Sequence, residues 1–120
     1  MKIKRSLAEI QLFINNNDAI NLISLLNNLL DLKEPFYLLC SLEDKKAVNV
    51  VSFYCSLSSD DNDYITLNKT KLELNISIDT INLFIYKLNL FLETGHISPP
   101  ELCEMTNRDG KGIYLSLINA

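Results

Sequence analysis

The chain carries one histidine, His96, so any histidine-based proton transfer or metal site must be built around it. Glu93, Glu101, Cys103 and Glu104 stand near it in sequence. Glu93 and His96 would form a ligand pair only if a helix ran on through Gly95. The plain reading is an exposed loop histidine beside a helix end, where a cation is favoured. Cys40, Cys55 and Cys103 are the candidate nucleophiles, but no CxxC pair occurs and Cys40 and Cys55 lie inside apolar runs. Thiols so placed behave as small buried hydrophobes. Their odd number argues against a disulfide framework and suits a reducing compartment. The run Asp60-Asp61-Asn62-Asp63 invites a calcium reading. Counted from Asp61, however, an EF-hand loop would place Ile65 at a ligand position and Thr66 where glycine belongs, so the motif fails. Of the three glycines, Gly110 and Gly112 form a GxG that precedes a strand pattern rather than opening a helix, so no phosphate loop exists. Fifteen acidic residues make many carboxylate pairs, and nothing singles one out for glycosidase chemistry. The expectation is a chain with no catalytic group, no resident metal and no cofactor.

Charge points to contact rather than reaction. Eleven basic and fifteen acidic residues give a net charge of −4. Lys2, Lys4 and Arg5 open the chain, leaving eight bases against fifteen acids beyond them, a balance of −7. Such a body is repelled by phosphate backbones, so direct nucleic-acid binding is not expected. Its natural complement is a basic macromolecule. Asp60, Asp61, Asp63 and Tyr64 form one candidate contact patch, with the tyrosine as an aromatic anchor among carboxylates. Glu101 and Glu104 form a second.

The elements that would carry these groups can be read from periodicity. Ile81, Phe84, Ile85, Leu88, Phe91 and Leu92 make one apolar face over Asp79 to about Thr94, with Asp79 as cap and Gly95 as stop. A second helix is expected from Asp18 to about Leu32, on Leu22, Ile23, Leu26, Leu29 and Leu30. Asp18-Ala19-Ile20-Asn21-Leu22 matches Asp79-Thr80-Ile81-Asn82-Leu83 at an offset of 61 residues, and reads as two capped helices with similar starts rather than a duplicated unit. Phe36–Leu42 and Ala47–Leu57 read as strands around a hairpin loop, Glu43-Asp44-Lys45-Lys46. Tyr64–Leu67 is a short strand, and the alternation of Leu72, Leu74, Ile76 and Ile78 predicts another. Ser98-Pro99-Pro100-Glu101 predicts a short helix, and Ile113–Ile118 a last strand. Residues 6–15 carry both signals: Ser6 and Glu9 have capping-box spacing, while Ala8, Ile10, Leu12 and Ile14 alternate, which favours a strand. Phe53, Tyr54, Phe84 and Phe91 are expected in the core.

With 120 residues, 48% apolar and 22% charged, the chain suits one globular domain over 1–120. The expected class is α+β: a mostly antiparallel sheet of about five strands with two main helices packed on one face. No apolar run approaches the length of a membrane span. The basic start lacks an apolar stretch and cleavage site behind it, so a cytoplasmic protein is expected.

In size, acidity, α+β pattern and a composition biased to Leu, Ile, Asn and Lys, the chain resembles the small immunity proteins of bacterial contact-dependent growth inhibition and related toxin systems. No diagnostic motif carries the resemblance, and no residue role transfers with it. It implies a non-enzymatic binding protein that blocks a cognate toxin, often a nuclease, in the cytoplasm. The alternative is a homodimeric regulatory or adaptor protein, in which apolar faces or strand edges pair between copies. On the immunity reading, neutralising Asp60, Asp61 and Asp63 together should slow association and leave the fold intact.

Overall fold

The computed structural model describes residues 1–44 and 47–120. Eight strands and two helices follow in the order β1 (Lys2–Arg5), β2 (Glu9–Ile14), α1 (Asn16–Leu32), β3 (Phe36–Asp44), β4 (Ala47–Leu57), β5 (Tyr64–Leu67), β6 (Lys71–Ile76), α2 (Ile78–Thr94), β7 (Glu101–Thr106) and β8 (Gly112–Asn119). The class is α+β, but the sheet has eight strands and is mixed. It closes into a barrel in the order β1-β2-β8-β7-β5-β6-β4-β3. Four neighbouring pairs are antiparallel hairpins, and four are parallel: β1–β3, β2–β8, β4–β6 and β5–β7. Closure removes the free strand edges through which edge-to-edge dimers form.

The element string is ββαββ, twice. Position i of the first unit corresponds to i + 62 in the second. Ile3 answers to Ile65, Ile10 to Leu72, Leu12 to Leu74, Ile14 to Ile76, Leu22 to Phe84, Leu26 to Leu88 and Leu29 to Phe91, and all are buried. The pairing obeys the same shift: Ile3 faces Leu12 and Ile65 faces Leu74, while Glu9 pairs with Tyr114 and Lys71 with Ser52. The two helix starts are therefore parts of a duplicated architecture, contrary to the reading as independent look-alikes.

Strand direction fixes what lies at each end of the barrel. Odd-numbered strands run one way and even-numbered strands the other. The β1–β2, β5–β6 and β7–β8 turns, with the end of β3 and the start of β4, thus gather at one end. Both helices and the 58–63 connection lie at the other. The helices pack on each other, α1 against β2 and β4, and α2 against β7. Their buried stripes, Ala19, Leu22, Leu26 and Leu29 on α1 and Ile81, Phe84, Leu88 and Phe91 on α2, join the inward side chains of the strands in one core. No described helix is long and apolar enough to cross a membrane.

Local chemistry accounts for the differences from expectation. Helix α1 starts at Asn16, because Asn15 accepts from the Asp18 N–H while Asp18 accepts from the Asn15 N–H, a reciprocal cap. Helix α2 is capped by Ser77, not by Asp79. Gly95, at φ 79°, ends it as expected. Residues 9–14 are strand; the Ser6 N–H donates to the Glu9 carbonyl and closes the β1–β2 turn instead of capping a helix. The basic opening residues form β1, where Lys2 and Lys4 pair with Glu43 and flank the Phe13 ring. No helix forms at Ser98–Glu101: proline disfavours helical backbone in the residue before it, and Leu102 and Met105 point inward from a strand. Phe53, Phe84 and Phe91 are core, but Tyr54 is on the outer surface, half-buried under the Lys71 ammonium. Of the expected hairpin loop, Lys45 and Lys46 lie outside the described residues. The outer face of β3–β4 exposes Tyr37, Leu39, Val48 and Val50, each about 70% accessible.

Candidate functional site

The acidic residues are held by two sets of hydrogen bonds around the 58–63 connection. Asp60 accepts from the Ser58 hydroxyl at 2.7 Å, the Tyr64 hydroxyl at 2.7 Å and the Asn62 N–H at 3.2 Å. These donors, Ser58 first, hold its carboxyl down to about 2 from an ordinary value of 3.8. The same bond to Asp60 raises the Tyr64 phenol above its usual range. Asp63 is turned toward the fold: its carboxylate accepts from the Ser77 N–H at 2.8 Å and the Thr80 hydroxyl at 2.6 Å, both at the start of α2. Its carbonyl accepts from the Thr106 N–H at 3.0 Å. Asp61, at φ 63°, is exposed between them.

Strand β7 delivers the other carboxylates. β5 and β7 meet at one register pair, Tyr64 with Thr106, which carries the Asp60–Tyr64 segment onto β7. Asp61, Asn62, Asp63, Tyr64, Glu104 and Thr106 then surround an open groove of about 460 Å³. Glu104 pairs in register with Tyr114 of β8, and hydrogen bonding to Glu104 raises the Tyr114 phenol, with Glu101 adding charge. Gly112 makes room for this carboxylate, since a β-carbon there would lie 2.5 Å from Glu104 Oε1. The groove thus joins residues of the two expected patches, Asp61, Asp63, Tyr64 and Glu104, and Glu101 starts the same strand as Glu104. Tyr64 is 39% and Tyr114 45% exposed; the Tyr64 hydroxyl donates to Asp60, and Tyr114 stands opposite Glu104 on the neighbouring strand. Sequence reasoning missed Tyr114, because only the β7–β8 register brings it to Glu104.

The reactive types lie elsewhere. His96 is exposed just past α2, with its ring nitrogen 3.3 Å from the Thr94 carbonyl. The helix stops before it, so Glu93 and His96 do not share a helical face. Burial pushes the thiols of Cys40, Cys55 and Cys103 up to about 11, 12 and 12. That suppresses the thiolate a nucleophile needs. Among the described residues, no group of three or more His, Cys, Asp or Glu side chains is placed to hold a metal ion.

What the groove can do is bind. Its carboxylates attract cations, Tyr64 offers flat apolar area, and internal hydrogen bonds fix Asp63 and Tyr64 in place. No family model, curated protein or solved structure matches the chain.

Proposed function

We propose that this is a non-enzymatic protein-binding module that docks its acidic groove onto a basic partner, as an immunity protein covers the substrate cleft of a cognate bacterial toxin. The convergence of Asp61, Asp63, Tyr64 and Glu104 on one groove, with Tyr114 paired in register beside Glu104, supports this reading most directly. Exposed carboxylates raise the rate of encounter with a basic surface. Tyr64, already held by Asp60, loses little side-chain freedom on binding, which favours affinity. A nuclease is a fitting partner, since its own cleft must be basic to hold a phosphate backbone. On this reading the encounter takes place in the cytoplasm.

The test is inhibition of the C-terminal domain of a secreted polypeptide encoded directly upstream of this chain. The purified protein should inhibit that domain stoichiometrically, and association should slow as salt rises. Asp61→Asn combined with Glu104→Gln should lower the association rate by about tenfold and flatten its salt dependence, with an unchanged circular-dichroism spectrum. Wild-type rates in that variant would reject the groove as the contact surface. Absence of any complex would reject the reading itself.

The exposed face of Tyr37, Leu39, Val48 and Val50 favours a second reading, a homodimeric regulatory or adaptor protein. Light scattering on the purified chain separates the two. A stable dimer that Leu39→Lys dissociates would support the second.

A further inference from the structure

The chain has nine lysines but only two arginines, Arg5 and Arg108. They lie more than a hundred positions apart, one where β1 ends and one in the β7–β8 turn. Both line the same cavity of about 520 Å³ at the turn end of the barrel. That volume falls within the range of small-molecule sites. Arginine presents a planar fork of N–H donors that matches carboxylate, phosphate and sulfonate geometry, which lysine cannot do. Among the described residues neither guanidinium forms an ion pair. The one acid on the lining is Asp109.

The rest of the cavity is divided between polar rim and apolar floor. Asn68 and Asn107 line it from two turns. Each uses its side-chain oxygen to hold its own turn: Asn68 accepts from the Thr70 and Lys71 N–H groups, both at 2.9 Å, and Asn107 from the Asp109 and Lys111 N–H groups at 3.0 and 2.9 Å. The turns are thereby braced, and the amide NH2 groups remain as donors. Below them Ile10 and Ile65 close the barrel interior, 6% and 1% exposed. Ile113 is half-buried beside them. Leu7, at the rim, is fully exposed.

We propose that the turn end of the barrel binds a small organic anion, an acidic group carried on an apolar body, with Arg5 and Arg108 on the charge and Ile10, Ile65, Ile113 and Leu7 against the body. The site shares no lining residue with the acidic groove.

Three probes separate the contributions: 8-anilinonaphthalene-1-sulfonate, its uncharged counterpart N-phenyl-1-naphthylamine, and inorganic phosphate. The sulfonate should bind one-to-one by calorimetry, about tenfold tighter than either of the others, since each of them offers half of the recognition. Arg5→Gln and Arg108→Gln should each weaken the sulfonate by about tenfold and leave the naphthylamine unaffected. Amide shift changes should fall on residues 5–10, 65–68 and 107–113. Arg108 stands in an exposed turn, so its variant decides the matter should Arg5→Gln fail to fold. Equal binding of sulfonate and naphthylamine, indifference to Arg108→Gln, or shifts confined to Tyr37, Leu39, Val48 and Val50 would each overturn the proposal. Phosphate binding as tightly as the sulfonate would overturn the apolar half of it.

Discussion

A carboxylate that accepts two hydrogen bonds from the start of a helix has a different task from one that faces water. Asp60, Asp61 and Asp63 are neighbours in sequence and look equivalent there, yet their partners divide them. Asp63 joins the 58–63 connection to Ser77 and Thr80, so removing its charge removes two internal bonds. Asp63→Ala should lower stability by about 1–3 kcal/mol in urea denaturation, because the groups it satisfies are left without an acceptor. Asp61→Asn, which keeps a residue type that tolerates the left-handed backbone at φ 63°, should leave the urea midpoint unchanged. The two bonds of Asp63 argue against neutralising all three without harm to the fold, and Asp61 with Glu104 is the cleaner probe of docking. Asp60 differs again. Its folded carboxyl titrates at about 2, below the ordinary 3.8, so the ionised form is the one the fold favours. Its contribution is complete above about pH 4 and disappears as pH falls toward 2. Carbon-detected NMR titration should give a midpoint near 2 for Asp60. In Tyr64→Phe, which removes one donor to that carboxylate, the midpoint should move upward; an unmoved midpoint would break the assigned cause.

At the scale of single elements, the sequence displayed the helices and most strands, and it misplaced the N-terminal caps. Period and burial agree along α2, from Ile81 to Phe91, because a buried stripe must recur every three or four residues. Capping depends on a backbone that turns from extended to helical at one residue, and a string containing Ser77, Asp79 and Thr80 offers several candidates. Ser77 takes the position, since Ile76 is still paired with Leu57 of β4 and its side chain is inward. Ser77→Ala should therefore cost about 1 kcal/mol in thermal or urea unfolding. Asp79→Ala should cost no more than a few tenths, having only the helix dipole to interact with. Equal losses from the two would return the cap to Asp79. Strand β1 was hidden for another reason. It has four residues, three of them basic, and only Ile3 points inward, so no alternation can be counted.

The whole molecule depends on pairings that no local pattern announces. The barrel divides into two four-stranded runs, β1-β2-β8-β7 and β5-β6-β4-β3, and each takes one hairpin from each ββαββ unit. Parallel pairing of Glu9 with Tyr114 spans nearly the full chain, so neither unit completes its own sheet. That is why five mostly antiparallel strands were expected: the four hairpins are local, while the four parallel seams are long-range. The offset of 61 failed similarly. It aligns like letters, Asp18 with Asp79, but it sets buried Leu22 against half-buried Leu83. The offset of 62 instead aligns inward positions, Leu22 with Phe84 and Leu29 with Phe91. At those positions the units also differ in size, since α1 has Ala19, Leu22 and Leu29 where α2 has Ile81, Phe84 and Phe91. The two helices pack on each other and share one core, so that core is filled by a smaller set of side chains from α1 and a larger set from α2. Two copies of the first unit would leave cavities and two of the second would crowd the core, and both cost stability. Fragments 1–60 and 61–120 should thus each be unfolded alone by circular dichroism, and mixing them should restore a cooperative transition. Because loop closure for β2–β8 is removed from the chain and placed in the encounter, that transition should depend on fragment concentration. A fragment that melts cooperatively by itself would show that one ββαββ unit completes its own core, and would break the argument from swapped hairpins.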